Sequence, residues 1–154
     1  MDKTKKNSRK SFSLVEVLVF TSILSLFFVT AAAVVTESLR NMKINEHKIL
    51  ATRYAEELLE WLRSKKEADW DKFVEKGSVD PGTVYCFNAI LTDDWPQAGK
   101  CSPENKLDNI FTREVTLKNE GAPVNYVQIS ILVSWEDTGN SYQVPIKTVF
   151  TLWE

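Results

Sequence analysis

The sequence predicts an α+β protein: one long N-terminal helix, apolar in its first half and amphipathic in its second, followed by a small antiparallel β-sheet. Three observations carry this. Residues 12–36 form an apolar run holding one charge, Glu16, and no Pro or Gly. Residues 37–66 also lack Gly and Pro, and their apolar residues recur mostly at steps of three and four. Beyond Gly77 the pattern changes to short runs rich in β-branched and aromatic residues, with partial alternation.

The chain has 154 residues, the length of one ordinary domain. Hydrophobic residues at 44% and charged residues at 26% exclude a disordered or collagen-like protein. Two cysteines exclude a disulfide-dense mini-protein and a four-cysteine zinc site, and one histidine excludes a multi-histidine metal centre.

The first element is a basic segment, residues 1–11. It carries Lys3, Lys5, Lys6, Arg9 and Lys10 against Asp2 alone. The other 143 residues hold 14 Lys and Arg against 20 Asp and Glu, a net charge of −6 that the overall −2 conceals. A short basic block ahead of an apolar run is a targeting or membrane-topology signal.

The second element, residues 12–36, has a charge-free stretch of 20 residues from Val17 to Thr36. As a helix this spans about 30 Å, the thickness of a bilayer core. A buried core helix in so small a domain would show a polar face. A cleaved secretory signal has a shorter apolar region ending at small residues. Ala31, Ala32 and Ala33 supply such a site, so this rival stays open. On the membrane reading, the positive-inside rule places Lys3–Lys10 in the cytoplasm and the chain after Thr36 outside.

Glu16 stands near the start of the apolar run. A carboxylate inside a membrane costs on the order of 2–3 kcal/mol, depending on its depth, and so calls for a functional partner or for solvation at headgroup level. The stretch Lys10-Ser11-Phe12-Ser13-Leu14-Val15-Glu16-Val17 resembles the prepilin-type cleavage and N-methylation motif of type IV pilins and type II secretion pseudopilins. The match covers the basic leader, Phe12, Leu14-Val15, Glu16 at the fifth position and the long apolar helix. Ser11 stands where that family usually has glycine.

The resemblance implies a pilin-like fold and a sequence of events. A prepilin peptidase cuts between Ser11 and Phe12 and methylates the new amine on Phe12. The mature subunit waits in membrane lipid, and an inner-membrane assembly platform adds it to a filament of other pilin or pseudopilin subunits. Glu16 then faces the positive N-terminus of a neighbour. At about 4 Å and an effective dielectric near 20, such a pair gains about 4 kcal/mol before desolvation, enough to offset a buried carboxylate. Many members carry Gly and Pro inside the apolar helix; this one has neither, which argues against local melting of the helix on assembly.

The third element is the amphipathic helix 37–66, continuous with the second, so that residues 12–66 form one helix of about 80 Å. Its apolar stripe is Leu39, Met42, Ile49, Leu50, Tyr54, Leu58, Trp61 and Leu62, with Glu56, Glu57 and Glu60 as a solvated face. Residues 51–63, followed by Asp69-Trp70-Asp71, resemble the equivalent stretch of small-headed minor pilins.

Four strands are predicted at 83–92, 111–118, 126–135 and 142–153. Asp137-Thr138-Gly139-Asn140 reads as the turn between the last two and 119–123 as the turn before them. Pro145 has no N–H to donate, which makes the last strand an edge or bulged strand. Helix and sheet together form the head, residues 37–154. Cys86 and Cys101 lie in the part expected outside the membrane, where an oxidising compartment favours a bridge. It would close the loop 88–100 and stabilise the fold by roughly 3 kcal/mol; two buried free thiols are the alternative.

The remaining features point to no chemistry. His47 has no second ligand at a zinc-like spacing and reads as a solvated residue. Asp93-Asp94 and the Asp69/Asp71 pair do not match a calcium loop and read as exposed carboxylates. Trp70 and Trp95, in loops, are expected at the surface. No nucleotide-binding or nucleophile motif is present, and no catalytic residue, metal or cofactor is expected. The acidic balance and scattered Lys and Arg argue against DNA binding.

The expected function is therefore that of a non-enzymatic subunit, a minor pilin or pseudopilin, held in the inner membrane with its head outside and then built into an extracellular or periplasmic filament. The rivals are a signal-anchored extracytoplasmic receptor, for which Glu16 is dispensable, and a DNA-uptake (competence) pilin.

Overall fold

A computed structural model describes residues 13–89, 91–104 and 106–153. Ser11, Phe12 and the basic leader lie outside these. The elements in order are helix α1 (Leu14–Ala68), helix α2 (Trp70–Val74) and strands β1 (Thr83–Cys86), β2 (Thr112–Glu120), β3 (Tyr126–Asp137) and β4 (Asn140–Thr151). The α+β layout matches the sequence reading. The chain divides into two compact units, Met1–Lys43 and Ile44–Glu154.

In the first unit, α1 contains the apolar run. It is 55 residues long over both units, and neither Gly nor Pro interrupts it. The large apolar side chains of residues 14–35 are exposed within the chain itself.

The second unit is a four-stranded antiparallel sheet in the order β1-β2-β3-β4, each strand paired with its neighbour in sequence. Alternation fixes which face is buried. Val115 and Leu117 of β2 face inward, as do Val127, Ile129, Ile131, Val133 and Trp135 of β3. Ala51, Ala55, Leu58 and Leu62 of α1 complete this core. Small Ala51 and Ala55 let the helix approach the sheet, while Leu58 and Leu62 fill the space beyond them. The β3–β4 hairpin turns at Thr138 (φ 49°) and Gly139 (φ 79°), both left-handed, as a two-residue type I′ turn requires. The strand β4 lies at the sheet edge, where a proline is tolerated, and Pro145 sits there opposite Leu132.

Several expectations are corrected. The first strand ends at Cys86, not at residue 92. Beyond it the Phe87 N–H still bonds the Arg113 carbonyl at 2.8 Å, but the Arg113 side chain claims the carbonyls of Phe87 and Ala89, and Asn88 Oδ1 accepts the Arg113 N–H. Side-chain bonds thus replace the ladder. The helical stripe is also shifted. Leu39, Met42 and Ile49 are exposed, and the buried face runs through Ala51, Ala55, Leu58, Leu62 and Lys66. Counting only large apolar residues hid the two alanines that set the face.

His47 is not solvated. Its ring is half-buried and meets Phe111 and Trp135 edge-on at 5.8 and 6.3 Å between centroids. Trp70 and Trp95 are half-buried against the core rather than exposed; the exposed tryptophan is Trp153, at 90%. Trp95 contacts Trp61, Tyr85, Phe73 and Phe87, because aromatic residues of helix, strand and loop converge there. The short α2 was not foreseen. Asp69 caps it by accepting the Lys72 N–H at 3.1 Å.

Candidate functional site

Two sets of residues deserve the name of a site, one in each unit. The first is the apolar part of α1 with its single carboxylate. A segment of this kind must satisfy its own polar groups if it is to enter lipid. The backbone does so through the helix. The hydroxyls do so by bonding back one turn: Thr21 to the Leu18 carbonyl, Ser22 to Val19 at 2.8 Å, Ser25 to Ser22 at 2.9 Å, Thr30 to Leu26 and Phe27, and Thr36 to Ala32 at 2.9 Å. Each donor is spent inside the helix, which leaves Glu16 as the one ionisable side chain among the described residues up to Thr36.

The helix begins at Leu14, and the Ser13 carbonyl accepts the Val17 N–H at 3.2 Å. Glu16 therefore stands in the first turn, where the free backbone N–H groups and the helix dipole favour a negative charge. Ser13 and Glu16 also have the spacing of a capping box. Sequence reading passed over this signal, which was visible as Ser-x-x-Glu just before the apolar run.

The second set lies in the head and fixes the segment after β1. Cys86 and Cys101, 15 positions apart in sequence, are bridged, with Cα atoms 4.8 Å apart. The bridge ties the end of β1 to the far side of a long loop. Beside it is Arg113, 1% exposed and inward-facing on β2. Its Nε donates to the Phe87 carbonyl at 2.8 Å and Nη2 to the Ala89 carbonyl at 3.1 Å. Its Nη1 donates to the Tyr54 carbonyl and to Glu57 Oε2, both at 3.1 Å. Burial lowers the Arg113 pKa, and Glu57 opposes that shift. Glu57 is thus an ion-pair partner, not merely part of a solvated face. The Tyr54 hydroxyl donates to Asp108, and that bond, followed by burial, raises the phenol's pKa.

One guanidinium thereby joins helix, sheet and loop. The signal for it was present: Phe111, Arg113, Val115 and Leu117 alternate, so an arginine occupies a core-facing position and needs several acceptors. Asp71, Asp93 and Asp94 are exposed, as expected; Asp93 still pairs with Lys65 at 3.0 Å, and half-buried Asp69 caps α2. Among the described residues no cluster of three or more His, Cys, Asp or Glu side chains could hold a metal ion. The helix α1 is long and apolar enough to cross a membrane. No known family model matches the chain, and neither a curated protein nor a solved structure shows significant similarity to it.

Proposed function

We propose that this chain is a structural, non-enzymatic subunit of a type IV pilus or a type II secretion-like filament, a minor pilin or pseudopilin. The observation that carries the reading is Glu16: one carboxylate in the first turn of a helix whose apolar part, up to Thr36, is otherwise uncharged and has its hydroxyls internally bonded. Lipid alone gives such a charge no partner. The free N-terminus of a second subunit, once the leader is removed between Ser11 and Phe12, gives it one. The resemblance of residues 10–17 to the prepilin motif and the α+β layout of the head are compatible with this.

On this reading the subunit is first a single-pass protein of the inner membrane, with its head outside. It is a substrate of a prepilin peptidase and is handed to an assembly platform that joins it to other subunits. Two experiments test it. Intact mass and N-terminal sequencing of the protein from host membranes are expected to show a chain beginning at N-methylated Phe12. A chain beginning at Met1 would turn the reading to an anchored receptor, and a start just after Ala33 to a secreted domain. Glu16→Ala is expected to leave processing intact and to abolish recovery in filaments; normal recovery would remove the charge-pairing argument.

A further inference from the structure

A groove of about 610 Å³ opens on the head beside the disulfide, and nothing in the filament reading uses it. Phe87, Leu91 and Trp95 supply its apolar wall. That wall is preformed, because the Trp95 ring is gripped by Trp61 at 5.0 Å and Tyr85 at 5.2 Å between centroids. Cys86 also lines the groove, and its bridge to Cys101 pins that part of the wall.

The charges along it are uneven. Nearby carboxylates are engaged: Asp93 by Lys65 at 3.0 Å, Glu57 by Arg113, Asp108 by Tyr54, and Glu114 by the Cys101 N–H at 2.7 Å. Asp94 and Glu104 line the groove, are exposed, and have no ion-pair partner among the described residues. Against these two carboxylates the lining offers one ammonium, Lys106. The chain beyond its basic leader is acidic as well, which draws basic partners to the surface. A cation that enters also meets the negative faces of the aromatic rings.

We propose that this groove docks a basic segment of another protein: an extended stretch with an aliphatic side chain against the Trp95 wall and arginine or lysine against Asp94 and Glu104. The inference stands apart from the filament reading, since an anchored receptor could use the groove in the same way. Hydrophobic contact supplies the seat, and the unpaired carboxylates select the sign of the partner's charge.

The test uses the full chain in a nonionic detergent and isothermal titration with a short capped peptide of alternating leucine and arginine. A matched peptide with glutamine in place of arginine is the control. Saturable binding of the arginine peptide is expected, weakening as sodium chloride rises from about 50 to about 300 mM. The Asp94→Asn/Glu104→Gln double variant is expected to weaken binding about tenfold, the effect of two exposed ion pairs, without moving the thermal midpoint. Equal binding of the glutamine peptide, unchanged binding by the double variant, or no saturable binding would overturn the proposal. Preference for a neutral oligosaccharide over the arginine peptide would overturn it as well, and would give the groove to a glycan.

Discussion

Arg113 is the residue on which the head's irregular half depends. Its four bonds satisfy the carbonyls of Phe87, Ala89 and Tyr54 together with the Glu57 carboxylate. Arg113→Met keeps the length and apolar stem but removes every donor, and is expected to cost about 2–3 kcal/mol in chemical denaturation, chiefly from buried acceptors left unpaired. Tyr54 makes a different test. The bond to Asp108, with burial, raises its pKa in the folded state. The folded chain therefore holds the phenolic proton to higher pH than the unfolded chain does. Its contribution is complete below about pH 10, the value of a free tyrosine, and is lost as pH rises through the raised value. Stability measured against pH is expected to fall less steeply on the alkaline side in Tyr54→Phe than in the wild type. Tyr85, raised by burial, and Lys118 and Lys72, raised by their hydrogen-bonded carboxylates, contribute to the slope that remains.

At the scale of elements, the corrected helical face is open to direct test. Leu58→Ala, at a fully buried position, is expected to cost about 2–5 kcal/mol. Ile49→Ala, at an exposed one, is expected to stay within about 0.5 kcal/mol. Equal losses would restore the stripe read from the sequence. Replacing Cys86 and Cys101 by serine is expected to lower stability by about 3 kcal/mol, the value of closing a loop of this length, without abolishing the β2–β3–β4 ladder. The long helix, the four strands, the Thr138-Gly139 turn and the edge position of Pro145 were all legible, because each rests on local pattern. What escaped was set by contacts between distant segments. His47 is drawn inward by Phe111 and Trp135, and Trp95 by rings from helix, strand and loop. β1 stops early because an arginine about 26 residues away takes its acceptors. For the candidate site, Glu16 and the cysteine pair were evident as residue types out of place, whereas the groove required the fold.

At the scale of the whole molecule, the two units have opposite solvent requirements. The apolar side chains of residues 14–35 are exposed, while Ile44–Glu154 holds the hydrophobic core and the sheet. A chain beginning at Ile44 is expected to stay in solution without detergent and to unfold in one cooperative transition by circular dichroism; the full chain is expected to need detergent. Loss of cooperativity in the shortened chain would mean that the earlier helix contributes to folding of the head. On the proposed reading α1 ties the head to a membrane, and the edge of the sheet is then under a further demand. Proteins tied to a membrane share a plane, and their local concentration far exceeds that of the same number of molecules free in solution. A bare strand of 12 residues at a sheet edge would then invite neighbouring copies to zip together edge to edge. In β4 the absent N–H of Pro145 and the exposed ammonium of Lys147, two positions on, interrupt that template midway. On that reading, crowding in two dimensions leaves the β4 edges of neighbouring heads unzipped, and contact between copies falls to other surfaces.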